Sequence, residues 1–242
     1  MSNIYEALEQ ACGKKIGSGV SPELSLQTEV IHGLSLKKEM TWLHHQVEAI
    51  LSKSSKMIQF IGSRRGEGVS TIVREFAKIA VERHGKSVLI LDSVCQEQTS
   101  GLNVSGQRDY GWLDLVEEGK LIEKSFFRVG ETNLYFAPIS VQSSFIAPVK
   151  DVTLKASILD QLKDRFDLIL IDSSSDTSTA DSASIAKMVD GVIMILEAGK
   201  TKKKSALKLK KRIISNGGVI IGAVFNKRKY YIPDCIYKKL FL

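Results

Sequence analysis

Six short apolar runs, at residues 57–61, 87–91, 134–137, 168–171, 192–196 and 219–225, constrain the fold of this 242-residue chain more than any other feature. Most are nearly unbroken Val, Ile, Leu or Phe. A strand with one wet face alternates apolar and polar residues, whereas a continuous run marks a strand covered on both faces, as in a parallel sheet. Between the runs lie stretches of helical length and spacing. Residues 70–83 carry Ile72, Val73, Phe76, Ile79 and Ala80, and residues 155–164 carry Ile158, Leu159 and Leu162. Residues 201–215 set Ala206, Leu207, Ile213 and Ile214 against a lysine-rich face. This alternation predicts an α/β fold with a mostly parallel sheet and helices on both faces.

The N-terminal part reads differently. Ile4, Tyr5, Leu8 and Ala11 make a short amphipathic helix, and residues 17–22 read as a Gly/Ser/Pro linker, so residues 1–34 form an extension to a domain spanning 35–242. A second helix, residues 35–51, spaces Leu36, Met40, Leu43, Val47 and Ile50 helically just before the first strand. These two helices are candidates either for docking on a partner or neighbouring subunit or for covering the sheet.

Composition narrows the setting. No apolar run approaches the roughly 18–20 residues of a membrane helix. The acidic, amphipathic start is neither a secretory signal nor a transit peptide. Three scattered cysteines, Cys12, Cys95 and Cys235, fit reduced thiols of the cytoplasm. The net charge of +7 is concentrated in Lys202–Lys204, Lys208–Arg212, Lys227–Lys229, Lys238 and Lys239. Such clusters suit anionic lipid, nucleic acid or acidic protein segments, or a plain solvated helix face.

The chemistry-bearing motif follows the first strand: Gly62-Ser-Arg-Arg-Gly-Glu-Gly-Val-Ser-Thr71. A strand, a glycine-rich turn and a helix N-terminus together make a phosphate cradle, because backbone N–H groups and the helix dipole converge on an anion. Candidate nucleotide-binding residues are Arg65, Gly66, Glu67, Gly68, Val69, Ser70 and Thr71, with the Ser70 hydroxyl placed for Mg²⁺. The full pattern G-x-x-x-x-G-K-[ST] fails twice: Ser63 stands for the first glycine and Val69 for the lysine. That lysine grips the β- and γ-phosphates as the phosphoryl group leaves. Loss of one charged hydrogen bond costs about 1.5–3 kcal/mol, and every 1.36 kcal/mol is about tenfold in rate. Arg64 and Arg65 are the nearest replacements in sequence.

Further motifs, in order, resemble the bacterial tyrosine kinase branch of the deviant-Walker P-loop family, which is similar in turn to MinD/ParA ATPases. The GEGVST loop resembles PGEGKST. The second strand ends in Asp92, matching the first carboxylate of LLIDADLR, while Val94 occupies the second. Phe166 to Asp172 resembles the Walker B segment DYVIIDTPP, and Asp181 to Gly191 resembles D-A-x-x-x-A-x-x-x-D-G. Ile221 to Asn226 looks like the GxVxN strand end. The resemblance implies catalytic and metal roles for Asp172 and Asp92, metal binding through Ser70, and adenine recognition by Asn226. It implies ATP or ADP with Mg²⁺ as cofactor, and Tyr230, Tyr231 and Tyr237 as candidate phosphosites.

It further implies a place in exopolysaccharide biosynthesis or export, beside an inner-membrane polysaccharide co-polymerase-like partner. The protein would then be cytoplasmic or peripheral at that membrane. A homo-oligomer is implied too, but the E-x-x-R-x-x-R helix motif of the kinases is here Glu39 followed by Trp42 and His45. Because the departures fall on the transfer chemistry, the leading expectation is a nucleotide-binding regulatory or docking subunit with weak or absent kinase activity. An active tyrosine autokinase and a MinD/ParA-like positioning ATPase are the alternatives, and nucleic acid is not an expected partner. A metal–histidine site is not expected: His44 and His45 are adjacent on a helix, and His32 and His84 lack companions at ligand spacing.

Overall fold

The computed structural model describes residues 36–51, 56–92, 125–137, 162–173 and 185–228. Helix α1 spans Lys37–Ile50. It is followed by β1 (Met57–Gly62), α2 (Val69–His84) and β2 (Val88–Asp92). Next come β3 (Phe127–Arg128), β4 (Leu134–Ala137), β5 (Leu168–Ser173) and β6 (Gly191–Glu197). Helix α3 (Lys203–Ser215) and β7 (Ile220–Asn226) complete the series. The strands form one sheet in the order β3-β4-β2-β5-β1-β6-β7. Every pair is parallel except β3–β4.

All six apolar runs are strands, and the central ones are covered on both faces. Successive side chains of a strand point to opposite faces, and here both destinations are apolar. Ile58, Phe60, Leu168, Leu170, Ile193 and Ile195 join Val73, Phe76 and Ala77 of α2 in one core. Met57, Ile61, Ile169, Ile171, Val192 and Met194 join Leu162, Leu209 and Ile213 in the other. The run at 219–225 differs: β7 has a paired neighbour on one side among the described residues, and Val219 and Phe225 are exposed.

Helix α1 covers α2 rather than standing clear of the sheet. Of the face its spacing predicts, Met40 and Val47 join the α2 core and Leu36 and Leu43 pack against it, whereas Ile50 is exposed and His44 is buried in addition. This packing also brings His84, the last residue of α2, onto His44, so the expectation that His84 has no companion is corrected. The two residues are forty apart in sequence, and only the packing of α1 on α2 brings them together.

Asp190 has a fold role that its place in the D-G motif does not reveal. Its carboxylate accepts from the backbone N–H groups of Lys56 and Met57, both at 2.8 Å, and thereby fixes the entry of β1. Among the described residues, no helix is long and apolar enough to cross a membrane.

Candidate functional site

The site sits where the central strands end. β1, between β5 and β6, delivers Gly62 to the glycine-rich loop, and α2 leaves that loop at Val69. Gly66 and Gly68 take positive φ angles of 84° and 90°, a region that costs most L-residues about 1–2 kcal/mol. No side chain caps α2. The amides of its first turn have no intrahelical acceptor, the arrangement that receives an anion. Ser70 lies in this turn, half-buried, and Thr71 beside it is exposed.

The two carboxylates expected to order a metal are brought together. Asp92 at the end of β2 and Asp172 on β5 are register partners, so their backbones are one strand spacing, about 4.8 Å, apart. Asp172 also pairs in register with Phe60 of β1, the strand that feeds the loop. It is buried, while Asp92 is half-buried. Two carboxylates on adjacent strands repel each other, and a cation held between them offsets that repulsion. Ser70, Asp92 and Asp172 are the residues that would hold Mg²⁺. Beside them, the buried amide of Gln59 donates to Ser173 Oγ at 2.9 Å.

Val69 is 3% exposed and belongs to the apolar core with Phe76 and Ile195. At this position a lysine would run its stem along the loop and aim an ammonium at the phosphates; valine ends in two buried methyls. Glu67, fully buried, turns its carboxylate back into the loop. That group accepts from the Ser63 and Arg64 amides, the Ser63 hydroxyl and the Thr201 hydroxyl. Its side chain therefore braces the two limbs of the loop. Asn226, the residue implied for adenine recognition, is likewise engaged: its amide donates to the Glu67 carbonyl at 2.9 Å.

The surrounding cations are arranged unequally. Arg64 reaches Glu197 at 3.4 Å, and Lys200 reaches the same carboxylate at 2.7 Å. The Lys200 hydrogen bond, reinforced by nearby Lys227 and Arg64, holds the Glu197 pKa below the ordinary carboxylate value. Lys227, just past β7, takes a left-handed φ of 56° and donates from Nζ to the Gly66 carbonyl at 2.6 Å. Sequence reasoning missed this contact, because a lysine 158 positions from Val69 carries no local signal of where β7 ends. The candidate phosphosites Tyr230, Tyr231 and Tyr237 lie outside the described residues.

No protein-family model matches the chain. Among curated proteins it is similar to the tyrosine-protein kinase YwqD of Bacillus subtilis, with 22% identity across 75% of this chain and 76% of that protein. It is also similar to the tyrosine-protein kinase CpsD of Streptococcus pneumoniae, with 25% identity across 71% and 76% respectively. Among solved structures it resembles the chimerical protein CapA2B2, with a TM-score of 0.71, 17% identity and coverage of 85% of this chain and 90% of that one. The kinase domain of the Escherichia coli tyrosine kinase ETK matches with a TM-score of 0.71, 14% identity and coverage of 95% and 91%. The cell-division ATPase MinD of Pyrococcus furiosus matches with a TM-score of 0.53, 18% identity and coverage of 77% and 79%. The curated likenesses are thus to bacterial tyrosine kinases, as the motif order implies, and the structural ones show a P-loop NTPase-like fold.

Proposed function

We propose that this chain is a tyrosine-kinase-like P-loop protein of exopolysaccharide assembly that binds Mg²⁺-nucleotide weakly and transfers phosphate poorly or not at all. In this reading it serves as a regulatory or docking subunit for an inner-membrane polysaccharide co-polymerase-like partner, working from the cytoplasmic face. The supporting observation is the contrast at the loop. Asp92 and Asp172 stay in register, while the lysine position is filled by the buried Val69. Metal-ordering groups persist where the charge that drives transfer is gone.

Nucleotide titration followed by phosphotyrosine detection tests this. Val69→Lys should tighten Mg²⁺-ATP binding about 10- to 150-fold, the equivalent of one restored charged hydrogen bond. A lysine stem can lie where the valine methyls lie, with its ammonium outside. Robust autophosphorylation of the unaltered chain, abolished by Asp172→Asn, would overturn the reading. That result would favour the second one, an active autokinase. Lys227 gives the second reading its physical basis, because its ammonium already touches the loop.

A further inference from the structure

Helix α2 has 16 residues, so its C-terminal end lies about 24 Å along the axis from the phosphate loop. At that end the His84 imidazole stacks on His44 of α1, with centroids 4.0 Å apart and planes inclined by 10°. His44 is 1% exposed. Its Nδ1 and the Nε2 of His84 are both buried and have no hydrogen-bond partner among the described residues. Glu48, one helical turn after His44, brings Oε2 to 3.3 Å from His44 Nδ1 without hydrogen-bond alignment. One donor atom from each of His44, Glu48 and His84 lies within 4.8 Å of the others.

We propose that His44, Glu48 and His84 form a binding site for a divalent transition metal of the zinc class, which clamps α1 to α2. Two imidazoles and a carboxylate are a donor set that suits such ions. Bonds of about 2.0–2.2 Å in tetrahedral array place donors roughly 3.3 Å apart, which the His44–Glu48 pair already meets. An imidazole donates in its ring plane, so binding requires the His84 ring to turn out of the near-parallel stack, which its place as the last residue of α2, before left-handed Gly85, allows. Solvent takes the fourth position. Lys86 now donates to Glu48 at 2.6 Å, and a bound cation would displace it. The clamp would fix the outer face of α1, where Trp42 and Ile50 are exposed. A simple stacked pair of histidines is the competing explanation, and it predicts no metal affinity.

The test is titration of the chelator-treated full chain with Co²⁺, followed by competition with Zn²⁺. The site requires one ion per chain, d–d absorption of a four- or five-coordinate centre, and no change in molecular mass by sedimentation. Glu48→Gln, on an exposed side chain, and His84→Asn should each weaken binding about 100-fold or more, with the helical circular dichroism kept. Should one variant fail to fold, the other decides. Equal affinity in the folded variants would overturn the proposal. So would thiolate charge-transfer bands, which would place the ion on cysteine, or half an ion per chain with dimer formation. The outcome does not depend on whether the loop binds nucleotide.

Discussion

Each glycine of the loop faces a different obstacle to a side chain. Gly66 and Gly68 share the left-handed conformation, but only Gly68 is crowded. A Cβ at Gly68 would lie 2.3 Å from Asn226 Nδ2, whereas one at Gly66 meets nothing within 4 Å. Gly66→Ala should therefore cost only the conformational penalty, about 1–2 kcal/mol. Gly68→Ala should cost more, because Asn226 must also release the Glu67 carbonyl, a further loss of about 0.5–1.5 kcal/mol. Urea unfolding of the two variants measures the difference, and equal destabilisation would show that the Asn226 contact contributes nothing. Lys227 invites a separate experiment at the same scale. Lys227→Gln keeps a donor but removes the charge, and should weaken Mg²⁺-ATP binding about tenfold or more if the ammonium serves the phosphates. An unchanged affinity would confine Lys227 to bracing Gly66.

At the scale of elements, the strands were legible and their fine connections were not. A run such as Leu168-Ile-Leu-Ile171 reads as a strand covered on both faces because each side chain needs an apolar destination, and each has one. β3 offers only Phe127 and Arg128 to the sheet, too short a segment for any periodicity. Asp92 and Asp172 were legible as strand ends, and register then made them neighbours. The histidine cluster was hidden, because helix-on-helix packing has no signature in the separate sequences of α1 and α2.

A similar long-range tie joins β2 to β5 at the opposite end of the strands from the site. Asp167 accepts from both the backbone N–H and the hydroxyl of Ser87, each at 2.8 Å. These bonds hold its carboxyl below the ordinary value, the backbone bond contributing most. A folded pKa below the unfolded one gives stability that is complete above the unfolded carboxylate range. That stability is lost as pH falls through the depressed value. Asp167→Asn should therefore flatten the acid limb of the stability profile. On so exposed a group the effect should stay well under about 1 kcal/mol. Chemical denaturation across the acid range would measure it, and an unaltered acid limb would assign the loss to other carboxylates.

For the whole molecule, the decisive point is that the C-terminal ends of five strands collect the candidate nucleotide-binding groups among the described residues. β1 supplies the loop, β2 and β5 the carboxylates, β6 the Glu197 anchor, and β7 the Asn226 and Lys227 contacts. A ligand seated there bears on the folding of the entire domain, so its affinity can be read as stability. Ligand at its own dissociation constant stabilises by about 0.4 kcal/mol, and at a hundredfold excess by about 2.7 kcal/mol. For a chain of this size each kcal/mol raises Tm by about 2–4 °C. If the unaltered chain binds Mg²⁺-ATP with a constant near the working concentration, its Tm should rise by only about 1–2 °C. Val69→Lys, bound up to about 100-fold more tightly, should rise by about 5–10 °C at the same concentration. Asp172→Asn in that background should remove most of the gain if Mg²⁺ is ordered there. Large and equal shifts with and without the lysine would mean that Lys227, Arg64 or Arg65 already supplies the missing charge, and the site would have to be read as relocated rather than eroded.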